Sequence, residues 1–150
     1  MKRKKLTMIS YFRYLKYVIT HKWFVFIELG RHGYPWLGLV HDMSKFLPSE
    51  IVAYTKHYYS AEQAETAYQK AWDIHKRRNK HHWQYWVTEG GEPQEMPKKY
   101  VVEMVCDWDV AGRFKTDGIG TRLWYEKFKD EMVLHPKTKE LLERLIYGSL

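Results

Sequence analysis

Apolar residues recur along this chain at helical spacing, and no stretch alternates long enough to predict a strand. Met8 to Leu29 carries apolar side chains on more than one face, which predicts a long, largely buried helix ended by Gly30 and Gly33. Pro35 opens a second helix predicted to run to about Lys45, and Pro48, Ser49 and Glu50 open a short third. Ser60, with Gln63 three residues on, predicts the N-cap of a helix from Ala61 to about Asn79. Thr88 to Pro97 holds two Gly and two Pro and reads as the one long loop. Pro97 starts a helix through about Phe114. A turn at Thr116 to Gly120 and two helices, Thr121 to Val133 and Pro136 to Tyr147, follow. The pattern predicts a single all-α domain, a compact bundle of six to seven helices.

Composition sharpens this picture. A chain of 150 residues is one ordinary domain with one real core. An aromatic share of 17% predicts a core of large flat side chains and argues against disorder. The aromatic excess would also permit a homodimer. The net charge of +7 favours an anionic partner, first a phosphate-containing small molecule and second nucleic acid. Cys106 is the only cysteine, so an intramolecular disulfide is impossible and a reducing, cytoplasmic compartment is expected. Trp23 to Leu29 is too short and too closely flanked by His21 and Lys22 to be a membrane span, and no signal-peptide pattern follows Lys2 to Lys5.

The chemistry centres on histidines placed near acids. His41 and Asp42 are adjacent and follow the apolar Trp36, Leu37, Leu39 and Val40, which places the pair at the end of a buried helix. A buried Asp beside a buried His is costly unless compensated. A divalent cation compensates well, because the imidazole stays neutral and the carboxylate ionised. His21 lies on the preceding helix, which a short turn would bring alongside. Asp107 lies in the apolar run from Val101 to Trp108, with Glu103 four residues earlier on the same face. Asp109 points elsewhere. The stretch from His75 to Trp83 is dense in His and cations, and His75, Asn79 and His82 share a face if the helix continues. His32, His57 and His135 read as turn or packing residues. The bland alternatives are a buried charge–histidine network at His41–Asp42 and a basic solvated face at His75 to His82.

The ordered set His21, then His41–Asp42, then Asp107, with Lys45 three residues beyond Asp42, resembles the HD superfamily of metal-dependent phosphohydrolases over roughly Thr20 to Gly112. The Trp-rich stretch at Trp83 to Trp86 and the Asp107–Trp108 pair look like a little-characterised bacterial and phage branch, which supplies no substrate. The resemblance implies that His21, His41, Asp42 and Asp107 bind one metal and that Lys45 contacts a substrate phosphate. Some branches hold a second ion with two further His, usually farther apart than here; His75 with His82 or His81 would be the equivalents. Mixed His and carboxylate ligands suit Mn, Fe, Co, Ni or Zn. Arg77 and Arg78 would join Lys45 in neutralising phosphate, and Glu50 would serve as a general acid near the metal. The expected activity is hydrolysis of a nucleotide or other phosphoester through a metal-activated water. Two rivals stand: a di-iron oxygenase on the same scaffold, and a non-enzymatic module binding nucleic acid through Lys76 to Lys80.

Overall fold

The computed structural model of the chain describes residues 6–59, 65–114 and 120–148. Among these it is all-helical, as expected. The α-helices are α1 (Met8–Arg31), α2 (Pro35–Val40), α3 (Pro48–Tyr59), α4 (Glu65–Arg78), α5 (Lys98–Phe114), α6 (Thr121–Phe128) and α7 (Pro136–Tyr147). The predicted Ser60 cap and most of the Thr116–Gly120 turn lie outside the described residues. The predicted last-but-one helix stops at Phe128 and ends in a 3-10 turn, Lys129–Glu131.

Helix α1 is the spine. Thr7 and Ser10 form a reciprocal capping box at its start. Its buried residues are Ser10, Tyr14, Val18, His21, Val25 and Leu29, one stripe at three- and four-residue spacing. The expectation of a helix buried on several faces is therefore corrected: Phe12, Ile19 and Trp23 are exposed. The stripe joins two apolar clusters. Tyr14 and Val18 pack with Ala53, Tyr54 and Ala71. Val25 and Leu29 pack with Val102, Cys106 and Val110 of α5. His21 sits between the two, a polar step in the stripe between Val18 and Val25. A third cluster, Met96, Val101, Met104, Tyr125 and Leu142, holds α6 and α7 against the other side of α5.

Two boundaries differ from expectation, and both shape the site. Helix α2 ends at Val40, not near Lys45. His41 is extended (φ −50°, ψ 130°), and Asp42 is left-handed (φ 54°, ψ 25°), a conformation that Asp tolerates better than most side chains. Nor is α2 a buried helix, since Trp36 is 69% and Leu39 51% exposed. It meets α1 backbone to backbone: a Cβ on Gly38 would lie 2.5 Å from Phe26 Cα. Lys22 of α1 then donates to the carbonyls of Leu39 (2.5 Å) and His41 (2.7 Å), satisfying carbonyls that the end of α2 leaves open. Helix α4 likewise ends early, at Arg78. The Asn79 amide donates to the His75 carbonyl (2.9 Å), and the chain turns so that both His81 and His82 point inward.

Candidate metal centre

Four separate segments carry the site. His21 comes from α1, and His41 and Asp42 from the turn after α2. His75 lies in the last turn of α4, with His81 and His82 in the turn beyond it. Glu103 and Asp107 are one helical turn apart on α5. Ligand atoms of these residues lie within 4.8 Å of one another in three overlapping groups. The first is His21, His41, Asp42 and Asp107. The second is Asp42, His75, His81 and His82. The third, His41, His81 and Glu103, links the other two.

Asp42 belongs to both larger groups. Its Oδ2 is 3.4 Å from His41 Nε2, and its Oδ1 is 3.2 Å from His75 Nε2 and 3.4 Å from His81 Nε2. Asp107 Oδ1 is 2.8 Å from His21 Nε2 and 3.5 Å from His41 Nε2. The left-handed turn at Asp42 aims its carboxylate between the groups, which a continued helix would not do.

Carboxylates on the far side of the rings orient them. His75 Nδ1 donates to Glu50 Oε2 at 2.8 Å, and Glu50 is braced by Ser44 Oγ (3.1 Å) and Arg78 (3.3 Å). His41 Nδ1 donates to Glu103 Oε1 at 2.9 Å. With Nδ1 held as the donor, it is Nε2 that faces inward and offers its lone pair once an ion displaces its proton. The Nε2 atoms of His41, His75, His81 and His82, and Oδ1 of Asp42, are buried without a hydrogen-bond partner. Buried polar atoms are seldom left so. Five of them converging fit a cation, and these residues could hold one or two.

The electrostatics agree. Asp42, Asp107, Glu103 and Glu50 face Lys45 and Arg78, so carboxylates outnumber permanent cations. Burial lowers the His41 imidazole pKa, but the Asp42 charge, with Asp107 and Glu103, overcomes it and pushes it up to about 10. Burial opposes ionisation of Asp42 and Asp107, yet the imidazoles and, for Asp42, Lys45 hold both well below the usual range. His82 moves the other way: burial, then the neighbouring His81 and His75, push it well down, so it is a neutral ring ready to donate a lone pair.

The centre lies against a cavity of about 530 Å³. His21, His75, His82, Asp107 and Lys45 form one side of it, and Trp72, Trp83, Trp108 and Trp124 are among its walls. Trp108 and Trp124 lie 4.6 Å apart, centroid to centroid.

The structure brings together His21, His41, Asp42, Asp107, His75, His81 and His82, including both members of the His81/His82 alternative. Lys45 is also there, with Nζ 2.5 Å from Asp42 Oδ2. Glu50 is corrected: fully buried behind His75, it has no access to the cavity and orients a ring instead of serving as a general acid. Arg77 and Arg78 are corrected as phosphate contacts. Both are exposed and outside the cavity lining, and Arg78 is turned toward Glu50 and Ser49. The shared helical face for His75, Asn79 and His82 gives way to the turn after Arg78. Glu103, Ser44 and Asn79 were not expected in the site. The four-residue step from Glu103 to Asp107 was the available signal, whereas nothing local marks Ser44.

Compared with known proteins, the chain belongs to a family of unknown function, DUF5662, matched over residues 10–147. No curated protein and no solved structure matches it. Among the described residues, no helix is long and apolar enough to cross a membrane.

Proposed function

We propose that this chain is a metal-dependent phosphohydrolase whose centre holds two divalent transition-metal ions that share Asp42. The observation carrying this reading is the convergence of four unpartnered imidazole Nε2 atoms and Asp42 Oδ1 beside a cavity. His21, His41, Asp42 and Asp107 would hold one ion, and Asp42, His75, His81 and His82 the other. Such ions lower the pKa of a coordinated water and neutralise charge on a phosphoryl group.

The chain's own residues supply the rest. Lys45, in reach of both Asp42 and the cavity, is a cation available to a phosphate oxygen, and Lys127 also lines the cavity. Glu50 and Glu103 keep the rings in the donating tautomer. The aromatic walls exclude water and suit a planar ring on the ester, as in a nucleotide. A second reading rests on the same observation: the Asp-bridged set of His and carboxylates suits a di-iron oxygenase equally well.

The test is a screen of the Mn-reconstituted chain against nucleoside monophosphates, cyclic dinucleotides and generic phosphodiesters, beside Asp42→Asn. Metal-dependent turnover of one class, lost in the variant, supports hydrolysis. No turnover at full metal occupancy, with oxygen consumption by the iron-loaded chain, favours the oxygenase.

A further inference from the structure

Glu103 lies on α5, one turn before Asp107, and is nearly fully buried. One of its oxygens, Oε1, is 2.9 Å from His41 Nδ1 and 3.3 Å from His81 Nδ1. His41 belongs to the first ligand group and His81 to the second. The two imidazoles lie side by side, with centroids 4.4 Å apart. Asp42 belongs to both groups, and Asp107 of the first reaches to 3.9 Å from His81 Nε2 of the second, but Glu103 is the carboxylate that approaches the Nδ1 side of a ring from each. His75, by contrast, has its own carboxylate in Glu50.

We infer that Glu103 is a positioning residue common to both metal sites, and that it couples their occupancy by holding one imidazole of each in the same tautomer. The inference rests on the two-ion reading above. A carboxylate oxygen has lone pairs for two N–H donors and no proton to offer. Both rings must therefore carry hydrogen on Nδ1, and both turn Nε2 toward the Asp42–Asp107 side, where those atoms are unpartnered and where an ion would take the place of any proton they carry. Neither ring can rotate without releasing Glu103. An ion that orders His41 thereby orders Glu103, and Glu103 orders His81. The second ion meets a ring already in place.

Methionine in the same position removes the shared acceptor. Neither Nδ1–H then has a partner there, and both rings are free to turn or to carry the hydrogen on Nε2 instead. Glu103→Met should therefore loosen one ligand of each site while keeping the length and unbranched shape of the side chain. Glutamine, whose carbonyl oxygen also has two lone pairs, can still accept from both rings. Outer-shell partners of metal ligands are typically worth 10–100-fold in affinity.

The experiment titrates the metal-free full chain with Mn(II), followed by calorimetry and electron paramagnetic resonance, with the ring Nδ1–H proton shifts of the Zn(II)-loaded chain as a readout of the hydrogen bonds to Glu103. The wild type should bind two ions with a spin-coupled signal already present at half filling. Its spectra should show the His41 and His81 Nδ1–H protons shifted downfield by the carboxylate. Glu103→Met should bind the second ion at least tenfold more weakly, show separate uncoupled Mn(II) at half filling, and lose both shifted protons. Glu50→Gln should weaken binding through His75 and leave the His41 and His81 protons unchanged. Should Glu103→Met not fold by circular dichroism, Glu103→Asp keeps the acceptor and shortens its reach; it should weaken both hydrogen bonds and the coupling. Two ions bound to folded Glu103→Met or Glu103→Asp with wild-type affinities and coupling would overturn the inference while leaving the two-ion reading intact. A wild type that binds no Mn(II) overturns both.

Discussion

His75 Nε2 stands 3.2 Å from Asp42 Oδ1, while the other oxygen of the same carboxylate lies 3.4 Å from His41 Nε2. Asp42 thus faces two imidazoles from different segments, from a turn whose left-handed backbone places it between them. An unpaired carboxylate 1% exposed would be costly. Without an ion, Lys45 and protonated imidazoles supply the compensating charge.

Lys45 therefore competes with cations for Asp42. Lys45→Met should raise Mn(II) affinity severalfold, because the carboxylate no longer has to leave an ammonium. If Lys45 also steadies a phosphate, turnover should fall by tenfold or more. Calorimetry and steady-state kinetics on the same preparation check both. Unchanged affinity and unchanged turnover would mean that Lys45 only balances charge.

The metal-free protein should lose stability between pH 6.5 and about 10. His41 is raised from 6.5 in the unfolded chain to about 10 in the fold, and His75 is also raised. A group raised on folding contributes stability that is fully present below its unfolded value and is lost as pH climbs toward the folded one. Asp42, Asp107 and Glu103, all lowered, stay ionised across this window, and His82, pushed down, is already neutral. The loss should be on the order of a few kcal/mol. The metal-loaded protein should be nearly flat, because coordinated nitrogens carry no proton to release. Thermal melts with and without bound metal measure the difference, and parallel pH profiles for the two forms would contradict it.

Gly38 sets the distance between α2 and α1, and with it the reach of His41 toward His21. A Cβ there would meet Phe26 Cα at 2.5 Å, which is backbone and cannot swing aside. Gly38→Ala should cost about 1–3 kcal/mol, as overpacked sites do. It should also weaken the first site more than the second, which Mn(II) titration of the folded variant resolves. A variant with wild-type melting temperature and affinities would show that the helices part without moving His41.

Much of this was legible in the sequence. The helical spacing of apolar residues carried the bundle, and the candidate ligands His21, His41, Asp42 and Asp107 came from the resemblance of their ordered set to the HD superfamily. Helix ends were harder to read. Nothing in Val40-His41-Asp42 stops a helix by propensity; the stop depends on Lys22 from another helix and on the demand that Asp42 face inward. The turn after Arg78 was hidden for the same reason, since Asn79 and His81 find their partners in three dimensions. Glu50 and Arg78 read as site residues because of their charge. In the fold that charge faces the back of His75.

The measurement closest to the central claim is metal stoichiometry. After reconstitution with Mn or Fe and removal of free ion, elemental mass spectrometry of the wild type should find two ions per chain. His21→Ala and His82→Ala should each retain about one, and Asp42→Ala should retain neither. Near-zero metal in the folded wild type, or full occupancy in Asp42→Ala, would contradict a centre built on a shared Asp42.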